Sequence, residues 1–259
     1  MTLLATPNVE AMLQLGMLAM VRPGAAFLAA PVFGSANVPV QLRLLLALAV
    51  GMPSISMSAI TLPDAGLASW AGIMVVIGEI VIGLAIGFSL QMALAAALVA
   101  GETISNTMGL GFAMMVDPLS GQMNTAVGQF LALLATALFL SADGHLLLAG
   151  TIAQSYVAFP AGNAFLPHES IGALISFGSI MFKAGLAIAL PVGFALILVQ
   201  IVMGVIGRSA PALNLFSVGF PATLLFGTIL MAMALPSMAD AIAIVLGDGL
   251  ALARFVAGS

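Results

Sequence analysis

Cysteine is absent from the 259 residues, and with it go disulfides, thiolate metal sites and thiol nucleophiles, so the redox compartment is not encoded. Charge is nearly as scarce. Only 5% of residues are Asp, Glu, Lys or Arg, against about a quarter in an ordinary soluble domain. Five basic residues are scattered along a chain of net charge −4. That excludes the clustered Lys and Arg of a phosphate-backbone footprint, so nucleic acid is not an expected partner. The same scarcity leaves too few positive charges to set a membrane orientation. The first ten residues hold Glu10 and neither Lys nor Arg. A positively charged secretory leader is therefore missing, and the first apolar segment is expected to remain in the mature protein.

What is present is apolar: 63% of the residues are hydrophobic. A helix needs roughly 20 such residues to cross the hydrocarbon core, and apolar runs lie near 9–33, 38–60, 70–100, 124–160, 170–207 and 212–247. Transmembrane barrels use segments of about ten residues with alternating polarity. The runs Leu44 to Val50 and Ile73 to Ile77 do not alternate. The expected class is an all-α, polytopic integral membrane protein. No hydrophilic linker, charge run or internal repeat divides it, so residues 1–259 read as one membrane domain.

These segments are not plain anchors. Arg22 and Pro23 interrupt the first, Pro53 the second, Lys183 and Pro191 the fifth, and Pro221 and Pro236 the last. Each proline removes a backbone donor and is expected to kink or end its helix. Such breaks survive in a membrane only where protein or water satisfies the freed groups, which points to packing inside an assembly. The run Trp70 to Ala100 would be about 46 Å long as a helix, longer than a hydrocarbon core of about 30 Å. It must tilt, bend or project out.

Within that run, Gly83 and Gly87 form a small-xxx-small pair that lets two helix backbones approach closely, either within this chain or against another subunit. Glu79 lies in the same apolar stretch, where a carboxylate costs several kcal/mol unless paired, hydrated or protonated. Its candidate partners are Arg22, Arg43, Lys183 and Arg208. A proton relay would need further titratable groups, and no second carboxylate lies near Glu79 in sequence, so an ion pair is the expectation.

The stretch Gly101 to Asn124, GETISNTMGLGFAMMVDPLSGQMN, fits neither helix nor ordinary loop. Gly109 and Gly111 weaken a helix, and Asp117 with Pro118 ends one. Yet it carries Met108, Phe112, Met114, Met115 and Met123. Met108, Phe112, Met115 and Leu119 follow helical spacing and would share one soft apolar face. The stretch is either a re-entrant core segment or an apolar seal that lines or blocks a cavity. Catalysis is not expected. His145 in Asp143-Gly-His and His168 beside Glu169 match no metal spacing and read as helix-boundary turns, and no phosphate loop, dinucleotide fingerprint or nucleophile triad is present. No cofactor and no metal are expected.

The last third carries the most specific pattern. Leu186-Ala-Ile-Ala-Leu-Pro191 is followed by Met203-Gly204 and by Arg208-Ser-Ala-Pro211-Ala-Leu-Asn214-Leu-Phe216. Val218-Gly219-Phe220-Pro221 comes next. In order and spacing this resembles the FliR family of flagellar export-gate subunits. The resemblance extends upstream through Arg22, Pro31, Pro39, Glu79, Gly83 and the Gly101 to Pro118 stretch. The related injectisome subunit of the SctT type looks similar over the same region, and the Val-Gly-Phe-Pro wording favours the flagellar branch. Ala212 stands where the family often has Gln, and Gln200 where it often has Asn.

The resemblance implies a non-enzymatic subunit of the flagellar type III export gate in the bacterial inner membrane, at the flagellar basal body. It implies assembly with FliP and FliQ into a helical gate, contacts with FlhB and FlhA, and unfolded flagellar proteins as cargo. It also implies that residues 106–122 enter the gate as a plug beside a methionine ring supplied by FliP, with Met108, Phe112, Met114 and Met115 as sealing residues. A small-solute secondary transporter is the alternative that broken helices and intramembrane charges would also fit.

Overall fold

The computed structural model describes residues 9–55, 66–111, 125–162, 165–209 and 215–259. Among them the chain forms seven helices and no strand: α1 (Val9–Ala29), α2 (Val40–Ile55), α3 (Trp70–Thr107), α4 (Ala126–Ser141), α5 (Gly144–Ala158), α6 (His168–Ser209) and α7 (Leu215–Ala257). Each expected apolar segment holds a helix, and the one near 124–160 holds two. Helices α1, α3, α6 and α7 are long and apolar enough to cross a membrane, and α4 with α5 adds a fifth span if the bent pair is counted as one. The architecture is all-α and polytopic.

Helices α3, α6 and α7 contain 38, 42 and 43 residues. At 1.5 Å per residue these are about 57, 63 and 65 Å of helix, roughly twice a hydrocarbon core of about 30 Å. Pro23, Pro53, Pro191, Pro221 and Pro236 all lie inside helices, and none ends one. The sharp break falls instead between α4 and α5, where the axes bend by 65°. Asp143 occupies the left-handed region there (φ 53°, ψ 26°) and begins α5. A left-handed residue takes the backbone off the right-handed helical path and redirects the chain. The Asp143-Gly-His145 turn is thus a helix boundary.

Local chemistry sets several ends. The Ser69 hydroxyl accepts the Gly72 N–H at 3.1 Å, an N-cap for α3. At the other end of α3, Gly109 adopts φ 84°, its N–H bonds to the Asn106 carbonyl, and the Leu110 N–H reaches back to the Ser105 carbonyl at 3.0 Å. This is a Schellman motif, which satisfies two carbonyls that the helix end would leave open. Gly258 repeats it after α7, with φ 76° and a bond from the Ser259 N–H to the Arg254 carbonyl.

The chain divides into two compact units. The first comprises 1–92, 140–177 and 247–259. Here α3 crosses α1 at Gly83 and Gly87: a methyl at Gly83 would strike the Arg22 carbonyl, and one at Gly87 the Ala26 carbonyl. The small-xxx-small pair therefore packs within this chain. Gly51 of α2 meets the Ala19 backbone of α1 in the same way. Leu18, Ala26, Phe27, Ile82 and Ile86 are buried in this unit.

The second unit comprises 93–139 and 178–246. Ala96, Ala97 and Ala100 form a small-residue stripe on α3 that is almost wholly buried. A methyl at Gly185 of α6 would lie 2.8 Å from the Ala96 carbonyl. Close approach of small residues is how membrane helices gain dispersion contacts without a hydrophobic drive between them. Leu131, Ala135 and Phe139 of α4 and Ala189, Val192 and Leu196 of α6 complete the interior.

Candidate functional site

Two constellations stand out, one in each unit. In the first, Arg22 of α1 and Glu79 of α3 are both 0% exposed. The Arg22 Nε donates to Glu79 Oε2 at 2.7 Å and Nη2 to Oε1 at 3.0 Å. Nη1 donates to the Ser155 hydroxyl at 3.0 Å, and Nη2 also to the Phe159 carbonyl at 2.8 Å. The guanidinium lies over the Tyr156 ring, 4.0 Å from its centroid, and the Tyr156 hydroxyl donates to the Ala19 carbonyl. The planar fork of arginine matches a carboxylate bidentately and stacks on an aromatic face. Every charged nitrogen and both carboxylate oxygens have a partner, which is the condition for burying such a pair.

Of the cations weighed for Glu79, the structure brings Arg22 to it. Arg43 bonds the Ser35 carbonyl. Lys183 and Arg208 are exposed on α6, with Arg208 in the last turn, where a positive charge complements the helix dipole. Ser155, Tyr156 and the Phe159 carbonyl were not anticipated. They lie 133 or more residues from Arg22 in sequence, and Tyr156 is the chain's one tyrosine, the only signal that pointed to it.

In the second unit, the last turns of α3 root the stretch singled out by its methionines. Met108 is 3% exposed. A methyl at Gly227 of α7 would lie 2.8 Å from Met108 Cε, so this side chain fills the space the glycine leaves. The Met108 carbonyl accepts from the Thr223 hydroxyl at 3.3 Å, and the Thr107 carbonyl from Gln200 Nε2 at 2.6 Å. On the far side, Thr125 caps α4 by accepting the Gly128 N–H at 3.1 Å. Glu102 Oε1 accepts both the Thr125 N–H at 2.8 Å and the Thr125 hydroxyl at 3.1 Å. Phe112, Met114 and Met115 lie outside the described residues.

The signature of the last third is distributed along α6 and α7. Pro191 and Arg208 are exposed, and a side chain at Gly204 would meet nothing within 4 Å in this chain. Leu186, Leu190, Phe194, Ile201 and Val205 of α6 are each more than half exposed. Gly219 is buried and Pro221 exposed within α7. Phe216 lies in the first turn of α7 with only its backbone described, and Pro211 and Asn214 lie outside the described residues.

Residues 13–248 match the family described as bacterial export proteins, family 1. The chain belongs to this family and, by the relatives it resembles, to the FliR proteins. It is 35% identical to the flagellar biosynthetic protein FliR of Escherichia coli K12 over 81% of this chain and 80% of that one. The FliR of Pectobacterium carotovorum is 40% identical over 65% and 64% of the two chains. That of Bacillus subtilis 168 is 31% identical over 79% and 80%. The family match over residues 13–248 spans both the buried Arg22–Glu79 pair and the Glu102–Thr125 contact.

Proposed function

We propose that this chain forms part of the pore wall of the flagellar type III export gate and supplies its plug. The coarser statement follows from the family: the chain is a subunit of the flagellar type III protein export gate. Its membership across residues 13–248 carries the reading. The proposed site is the bacterial inner membrane at the flagellar basal body, with residues 1–259 acting as one membrane component and no catalytic step. FliP and FliQ are the proposed direct partners, FlhB and FlhA neighbours, and unfolded flagellar proteins the cargo.

Two structural observations support this. Exposed apolar side chains run the length of α6, including Ile175, Phe182, Phe194 and Val205. A helix of about 63 Å offers more apolar surface than a bilayer core of about 30 Å can cover, and neighbouring subunits would cover the remainder. The other observation is that the residues flanking 112–124 are held: the Thr107 and Met108 carbonyls accept from Gln200 of α6 and Thr223 of α7, and Thr125 donates to Glu102 of α3. Phe112, Met114 and Met115 are the proposed sealing side chains, and Met108 is their anchor in the subunit. Soft, unbranched side chains conform to an irregular seal and can yield to a passing polypeptide.

The test is to replace Phe112, Met114 and Met115 together by alanine in the assembled complex. A gate leaks ions while keeping its subunit composition. Loss of assembly without leak would mark a scaffold, and loss of uptake of a small solute would mark a transporter.

A further inference from the structure

Glu102 is the second carboxylate of α3, after Glu79, and opens the polar last turns of that helix. Among the described residues its bonds are both to Thr125: Oε1 accepts the backbone N–H at 2.8 Å and the hydroxyl at 3.1 Å. The threonine hydroxyl gives its single proton to Glu102 and its lone pair to the Gly128 N–H, so the three groups form a directed chain. A capping box normally places a Glu three residues inside the helix, reaching back to the N-cap N–H. In α4 that position is Gly128. Glu102 performs the same bond from another helix, 23 residues earlier, and brings negative charge to a helix start, where the dipole favours it.

The surroundings are built for this contact. A methyl at Gly128 would strike Glu102 Oε1, and one at Gly101 would lie 2.5 Å from Gly128 Cα. Two glycines thus let α3 and α4 touch backbone to backbone where the carboxylate reaches across. Five residues later α3 closes in its Schellman motif, with Met108 wedged at Gly227 and Gln200 on the Thr107 carbonyl.

We infer that Glu102 is a positioning residue: by capping α4 from α3 it ties the return of the chain at Thr125 to the helix from which the chain departs at Met108. One charge-assisted pair of bonds adds to the backbone contact of Gly101 and Gly128 in holding those two ends together, and so bears on the reach of the segment between them. The inference rests on the plug reading for its consequence, but not for the contact itself.

The experiment uses the full chain assembled with its gate partners. Hydrogen exchange is followed across residues 105–128, and proton leak is followed in liposomes holding a pH-sensitive dye. The variants are E102A, E102Q, G128A and a deletion of 112–124. In E102A and G128A exchange is expected to rise about tenfold, the population change that a net loss of ~1.4 kcal/mol in this contact makes. E102Q keeps an acceptor oxygen and stays near the parent. Unchanged exchange in E102A and G128A overturns the inference whatever the leak. Failure of both to assemble also overturns it, because the carboxylate would then serve folding alone. A deletion variant that remains tight to protons overturns the plug reading and leaves the exchange result to decide Glu102.

Discussion

Arg22 and Glu79 stand 57 residues apart in sequence and meet as a two-pronged pair, 2.7 and 3.0 Å, with neither side chain exposed. The pair joins α1 to α3, and the two remaining bonds of the guanidinium, to Ser155 and Phe159, add α5 and the residue that follows it. Removing one partner leaves the other charge buried and alone, a loss of about 3–5 kcal/mol. E79A and R22A should therefore melt well below the parent in detergent. A double change to Leu and Met should lose less than either, since no charge is then stranded. Equal melting of the single variants and the parent would show that the pair holds nothing together.

Glycine substitutions should divide by what a methyl would meet. At Gly83 it strikes the Arg22 carbonyl, whereas at Gly204 it enters open space. G83A should lower thermal stability of the isolated chain by about 1–3 kcal/mol. G204A should leave that stability unchanged or raise it by up to about 1 kcal/mol, since alanine replaces glycine inside a helix, but a bulkier G204L should reduce recovery of the chain with its partner subunits. Melting curves of the purified chain and co-purification yields check the two halves separately.

Methionines should divide in the same manner. Met108 is 3% exposed and Met233 is 76% exposed. M108A should cost about 2–5 kcal/mol through the cavity left beside Gly227, while M233A should fall within about 0.5 kcal/mol of the parent. Comparable melting of the two would place Met108 outside the interior.

The positions of the helices were legible because apolar runs of membrane length leave few alternatives, and the punctuation at Asp143 and His168 marked real boundaries. Pro23, Pro53, Pro191, Pro221 and Pro236 were less informative, since each removes one bond from a helix that many others hold. Glu79 announced a need for a partner by its setting, and Arg22 was among four candidates. Ser155 and Tyr156 did not announce themselves, because a contact 133 residues away leaves no local pattern. Glu102 was hidden for the same reason. A carboxylate that caps its own helix is visible at a spacing of three, whereas one that caps another helix at a spacing of 23 is not.

The central claim, that this chain is one subunit of a mixed export gate, is tested most directly by native mass spectrometry after co-expression with FliP and FliQ. The account predicts a stable complex from membranes containing one copy of this chain with several copies of FliP and with FliQ. A monomer or homodimer that never captures those subunits would contradict it.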